Sequence, residues 1–211
     1  MAVASSPRLL ALHALRLRGV ADADAVAEYM DISPEVVGPE LAALEEQGLV
    51  TFRRGRFPGF VLAPGGRLLG ERLLADELEA HGLRPRVEAS YEEFLHFNRQ
   101  LLTVCTQWQL REVGGDTVAN DHRDEAHDRA VIDALVAVDG RLQPVLAALI
   151  EVLERFGPHQ RRLRKALDHV VAGEHDWFTK PMFPSYHSCW FELHEDLLAT
   201  LGRERQRERS P

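Results

Sequence analysis

Lysine is almost missing from this chain. Only Lys165 and Lys180 occur in 211 residues, so its positive charge is arginine. With Ala, Leu and Val abundant, this reads as the codon bias of a high-GC genome. Cysteine is equally sparse. Cys105 and Cys189 cannot build a disulfide framework, which suits a reducing compartment. No apolar run approaches the roughly 18 residues that a membrane span needs. Met1 to Pro7 lacks a charged n-region, an apolar block and a cleavage site, so a cytoplasmic location with no membrane contact is expected. An excess of positive charge is missing as well. Acids outnumber Lys and Arg 33 to 25, for a net charge of −8. General nucleic-acid coating is thereby excluded, and any DNA contact needs a local basic patch.

The remaining composition is ordinary for a globular chain. Hydrophobic residues make up 45% and charged residues 27%, enough for a sizeable core. The start and stop signals predict a mainly α protein. Pro7 opens a first helix, with Leu9, Leu10, Leu12, Leu15 and Leu17 on a broad face, and Gly19 ends it. Asp22 or Asp24 can cap a second helix, Ala25 to Met30. Ser33 and Pro34 start a third, which runs to Gln47 with Val36, Val37, Leu41 and Leu44 facing inward, and Gly48 follows. Leu49 to Phe52 and Phe60 to Leu62 read as strands around the basic tip Arg53-Arg54-Gly55-Arg56-Phe57-Pro58-Gly59.

Three helices followed by a β-hairpin is the order of a winged helix-turn-helix, expected over residues 1–74. A connector helix or linker is expected at 75–88, an all-helical C-terminal domain for ligand sensing and dimerisation at 89–205, and a charged tail at 206–211. In the C-terminal domain, Ser90 with Glu93 reads as the capping box of a long helix, Tyr91 to Glu112. Gly114-Gly115 breaks that helix. Asn120-Asp121 starts the next, Gly140 and Pro144 interrupt it, and Gly157-Pro158 breaks again. The last helix is Tyr186 to Leu201.

The expected DNA contacts are Arg53, Arg54 and Arg56 on the wing, Arg16 and Arg18 on the first helix, and Ser33 and Glu35 at the start of the third. The third helix has no basic residue, and its several carboxylates would repel phosphates. Residues 1–75 carry 8 Arg against 9 acids, so this unit is the less acidic part without being basic. A charged hairpin tip is also what an ordinary solvated turn looks like.

Nine of the ten histidines lie after residue 75. Trp108 and Arg111, three apart, would share a helix face and could clamp an organic anion or form a plain surface pair. His122 sits at an expected helix start, where protonation is disfavoured, so a neutral imidazole would bond a ligand or a buried partner. Asp124 and Asp128, one turn apart, could simply pair with Arg123 or Arg129. On the last helix, Tyr186 and Trp190 belong to the core stripe, with His187 and His194 on the stripe beside it. These two histidines are about 10 Å apart, too far to chelate one ion alone. They either line a bundle or touch a ligand.

These segments carry a resemblance. The N-terminal part resembles the winged helix of MarR-type regulators of high-GC bacteria. Most of residues 7–205 resemble a group of transcriptional regulators. Their helical region shares Trp108-Gln109-Leu110-Arg111, Asn120-Asp121-His122 with Asp124 and Asp128, and Ser185-Tyr186-His187 through Trp190-Phe191-Glu192-Leu193-His194-Glu195. A similar region accompanies some phosphoenolpyruvate-utilising enzymes. The chain departs from the group at Cys189, where an apolar residue such as Val is expected, and at Ala126-His127, where a Tyr is expected.

The resulting expectation is a regulator without enzymatic activity, bound cofactor or structural metal. It would be a homodimer on double-stranded DNA that responds to a small anionic or aromatic effector. Trp108, Arg111, Asn120, His122, Tyr186, His187, Trp190 and His194 are the candidate effector contacts. One alternative is an enzyme in which His122, Asp124, His187 and His194 converge on a metal or on acid–base chemistry. Another, resting on the resemblance alone, is a module controlling a phosphoenolpyruvate-utilising enzyme.

Overall fold

A computed structural model describes residues 1–203, so the charged tail expected at 206–211 lies outside the described residues. The protein is mainly helical, with two small antiparallel hairpins. Among the described residues, no helix is long and apolar enough to cross a membrane.

The N-terminal elements form where the caps place them. Helix α1, Pro7–Arg18, is capped by the Ser6 hydroxyl, which accepts from the Leu9 amide, and it stops at Gly19 with φ 77°. Asp22 caps α2, Ala23–Met30, and Ser33 caps α3, Pro34–Glu46. Strand β1, Val50–Arg53, pairs with β2, Gly59–Leu62, with Phe52 opposite Phe60. Leu12, Leu15, Val26, Val37, Leu41 and Leu44 fill the core between these elements. Val36 departs from its expected inward place and is 40% exposed. Neighbouring helix positions lie about 100° apart, and Val37 aligns with Leu41 and Leu44, so Val36 is turned outward.

Helix α4, Pro64–Ala80, packs on α1 and carries the chain into α5, Arg84–Gln109. The 75–88 stretch is therefore packed structure, with Leu78 and Val87 buried. Ser90 is not a cap. It lies inside α5, 8% exposed, because the helix already starts beside Pro85. The region beyond is not all-helical either. Helix α5 ends at Gln109, and β3, Leu110–Val113, turns back as β4, Asp116–Ala119. Gly114 and Gly115, at φ 62° and 94°, supply the two positive-φ positions of a tight hairpin turn.

Helix α6, Glu125–Ile150, runs unbroken through Gly140 and Pro144. The interior proline costs roughly 3 kcal/mol. Burial of Leu135, Val138, Leu142, Val145, Leu146 and Leu149 outweighs it at about 1.5–3 kcal/mol per side chain. Gly140 itself is exposed, and a Cβ there would meet nothing within 4 Å. Gly140→Ala should therefore stabilise the protein by about 0.5–1 kcal/mol, read as a higher urea midpoint. A lower midpoint would contradict this placement.

A 3-10 turn at Glu154–Phe156 leads into α7, Gly157–Val171, then the single turn α8, Asp176–Thr179, and α9, Tyr186–Leu201. Helix α9 has its expected bounds, with Ser185 accepting from the Ser188 amide and Gly202 at φ 66°. Its Trp190 stacks on Phe94 of α5, centroids 5.1 Å apart.

The N-terminal elements are fastened to this helical body. Leu9, Leu74 and Ala199 form a small apolar seam. The Val3 amide donates to Val152 O at 2.9 Å, and the Glu154 amide donates to Val3 O at 3.1 Å. On α9, Asp196 is 1% exposed. Its Oδ1 lies 2.8 Å from His13 Nε2 of α1, and its Oδ2 accepts from His159 Nε2 of α7 at 2.8 Å.

Candidate functional site

The β3–β4 hairpin returns the chain to the end of α5, where the Asn120 amide donates to Gln109 O at 2.8 Å. Asn120 then organises what surrounds it. Its Nδ2 donates to Trp108 O at 3.1 Å and to Asp128 Oδ1 at 2.7 Å, and its Oδ1 accepts from the His122 amide at 3.2 Å. His122 sits in the left-handed region, φ 56°, two residues before the Asp124 that caps α6. That turn sets its imidazole on the indole of Trp108, centroids 4.4 Å apart, with Nδ1 3.0 Å from Asp128 Oδ2.

Asp128, in the first turn of α6, is 6% exposed. Burial pushes its carboxyl up. The hydrogen bonds from Asn120 and His122, with the positive potential of His122 and His175, more than offset that and hold it below the usual carboxylate range.

A third segment completes the cluster. His175, at the cap position of α8, meets Trp108 edge-on at 5.1 Å and lies 5.0 Å from the His122 ring. The buried Phe178 ring packs against Trp108 at 4.4 Å. One donor atom from each of His122, Asp128 and His175 lies within 4.8 Å of the others. The cluster thus has a buried carboxylate, a half-buried imidazole and an exposed imidazole beside an aromatic wall. Such a set can hold a metal ion or grip a polar ligand.

Of the expected effector contacts, Trp108, Asn120 and His122 gather here. Arg111 stands at the margin. It does not share a helix face with Trp108, because the helix ends between them. On β3 it pairs instead with Asp121 at 3.0 Å and Asp124 at 3.7 Å. Tyr186 and Trp190 are core residues elsewhere. The Tyr186 hydroxyl donates to Asp139 at 2.9 Å, and the Trp190 Nε1 donates to Asn98 at 2.9 Å. His194 packs on Phe94 at 5.1 Å. His187 faces an open groove of about 810 Å³ with Leu17 and Phe191. Asp124 caps α6 and pairs with Arg111, and His187 and His194 lie on α9, so none of the three belongs to the His122, Asp128 and His175 donor set. Asp128 is no surface partner of Arg123 or Arg129. His175 carried no periodic or spacing signal in its turn.

On the N-terminal unit, Arg53, Arg54 and Arg56 project on the exposed hairpin tip, and none has a carboxylate partner among the described residues. The other two arginines expected on DNA are engaged, Arg16 with Glu71 at 2.7 Å and Arg18 with Glu192 at 3.0 Å. Ser33 caps α3 and also bonds the exposed Glu35 carboxyl, which that bond holds below its usual range. The outward face of α3 presents Glu35, Val36, Pro39, Ala42 and Glu46.

No protein-family model, curated protein or solved structure matches the chain.

Proposed function

We propose that this protein is a ligand-responsive DNA-binding regulator. Residues 1–74 would act as a winged helix-turn-helix unit, and the helical region would sense an effector at the Trp108–His122–Asp128 cluster, within a homodimer. The observation that carries this reading is the β1–β2 tip: three exposed arginines without carboxylate partners, in a chain of net charge −8. Arginines held that way on a projecting hairpin suit phosphate or minor-groove contact. Helix α3 would contribute acceptors only. Its Glu35 can take a hydrogen bond from a cytosine amino group.

The test is fluorescence anisotropy of duplex DNA from the protein's own upstream region, at 50 and 200 mM salt (roughly the range over which phosphate contacts show), with scrambled duplex as control. Selective binding that weakens with salt is expected. Replacing Arg53, Arg54 and Arg56 together by Ala should lower affinity about tenfold or more at low salt. It should also reduce the slope of log K against log salt by roughly 2–3. No binding at low salt, or a triple variant that binds as the parent does, would refute the reading.

A further inference from the structure

We infer that His122, Asp128 and His175 form a binding site for a divalent first-row transition-metal ion, which is the effector of the proposed regulator. The effector role rests on the DNA-binding reading, but the site itself does not.

The donor set comes first. Two imidazoles and one carboxylate arrive from three separate segments: the turn before α6, the first turn of α6 and the cap of α8. Their donor atoms already lie within 4.8 Å of one another, and the His122–Asp128 pair is at 3.0 Å. Donors sharing one ion at about 2.0–2.2 Å stand roughly 3–4 Å apart. The donors need to close by about 1 Å at most to reach that spacing, and the exposed His175 is the one with room to move. Two imidazoles favour zinc, iron, cobalt, nickel or copper over magnesium or calcium, which want oxygen alone.

The surroundings are those of a ligand set held in place. Asn120 fixes Asp128 through Oδ1, which leaves Oδ2 turned toward the histidines, and it also fixes the His122 backbone. Such outer contacts orient metal ligands. A hydrogen-bonded pair accounts for His122 and Asp128 by themselves. It does not account for His175, whose ring nitrogens make no hydrogen bond among the described residues although the ring packs against both Trp108 and His122. Three protein ligands leave coordination positions open on the solvent side, where water or a small anion completes the shell.

The site also connects, through the segment after α7, to a helix that reaches the N-terminal unit. An ion would tie α6 to the segment after α7. Helix α7 carries Arg162, whose Nη1 donates to Tyr29 O of α2 at 2.8 Å. Closure at His175 thereby acts on a helix that grips the three-helix unit.

The experiment uses the full chain, stripped with chelator and shown folded by circular dichroism. It is titrated with Zn²⁺ by calorimetry and with Co²⁺ by visible absorption. One ion per chain is expected, with micromolar or tighter affinity and ligand-field bands from cobalt. His175→Ala, at an exposed position, should bind at least tenfold more weakly while staying folded. Asn120→Ala should lose about 10–100-fold. His81→Ala, exposed at the far end of α4, should bind as the parent does. A folded protein that takes up no ion, or a His175→Ala variant with unchanged affinity, overturns the site. In the anisotropy assay, Zn²⁺ should shift DNA affinity of the parent and not of His175→Ala. Metal uptake without DNA binding would overturn the regulator reading and with it the effector role, and leave the metal site standing. DNA binding without metal uptake would overturn this inference alone.

Discussion

Asp196→Ala should cost the fold about 3–5 kcal/mol, because it leaves several buried polar groups without their acceptor, at roughly 1–3 kcal/mol each. Asp196 stands at the crossing of three helices. Its Oδ1 lies 2.8 Å from His13 Nε2 and accepts from Thr200 Oγ1 at 3.0 Å, while its Oδ2 accepts from His159 Nε2. On the other side of the His159 ring, Arg162 Nη2 lies 3.0 Å from Nδ1. A guanidinium has no acceptor, so that contact needs the Nδ1 lone pair. His159 is accordingly neutral, with its proton on Nε2 facing Asp196. Burial favours the same state by pushing the His159 pKa below its ordinary value. Removing the carboxylate leaves two buried imidazoles without their shared partner and no path to water.

The same cluster sets an acid dependence. Burial pushes Asp196 up, but His13 and His159 outweigh it and hold the carboxyl well below 3.8. Below about pH 6.5 the unfolded chain protonates His159 while the native protein resists, so stability falls. Below about pH 4 the unfolded chain also takes up the Asp196 proton before the native protein does, and stability falls further. Both contributions have one sign. Guanidinium unfolding should give a midpoint that declines from pH 7 to 5 and declines again below 4. Asp196→Ala should start much lower and show a shallower second decline, the remainder coming from carboxylates such as Asp128 that are also held below their usual range. A variant within 1 kcal/mol of the parent (about fivefold in the folding equilibrium) would refute the central role given to this carboxylate.

Gly66→Ala should destabilise by about 3 kcal/mol, against the usual sign of a glycine-to-alanine change in a helix. Gly66 is the third residue of α4, and a Cβ there would come 1.9 Å from Leu49 O and 2.9 Å from Leu49 C. That carbonyl cannot yield, because it accepts the Ala63 amide at 3.0 Å and so holds the start of α4 against β1. The helix must lift off instead. Thermal unfolding should move down by roughly 6–12 °C for a chain of this size. Gly65→Ala is the control. Its Cβ would meet only the Leu49 side chain, at 3.4 Å, and the transition should hardly shift. Equal behaviour of the two variants would show that α4 does not sit where described.

The contrast between Gly66 and Gly140 also bears on what the residues disclose unaided. Short helices with their own stop and start signals were legible, as at Pro7, Gly19, Asp22 and Ser33, and so were the bounds of α9, Tyr186 to Leu201. Ser90, Gly140 and Pro144 look like punctuation but lie inside helices, because burial along α5 and α6 outweighs local preference. The β3–β4 hairpin was missed, although Gly114-Gly115 between two short alternating segments is a hairpin signal. Trp108, Asn120 and His122 were legible as polar or aromatic residues near a helix start. Asp128 and His175 were not, since their approach depends on where α8 falls against α6.

The tie between Val3 and residues 152–154 has a bearing on how the chain is made. A polypeptide leaves the ribosome N-terminus first, and domains generally fold in that order. Here the first helix finishes late. Leu9 waits for Ala199, His13 waits for Asp196, and Val3 waits for the backbone at Val152 and Glu154. The outer face of α1 therefore stays uncovered through most of synthesis, and the final contacts close only once α9 has emerged.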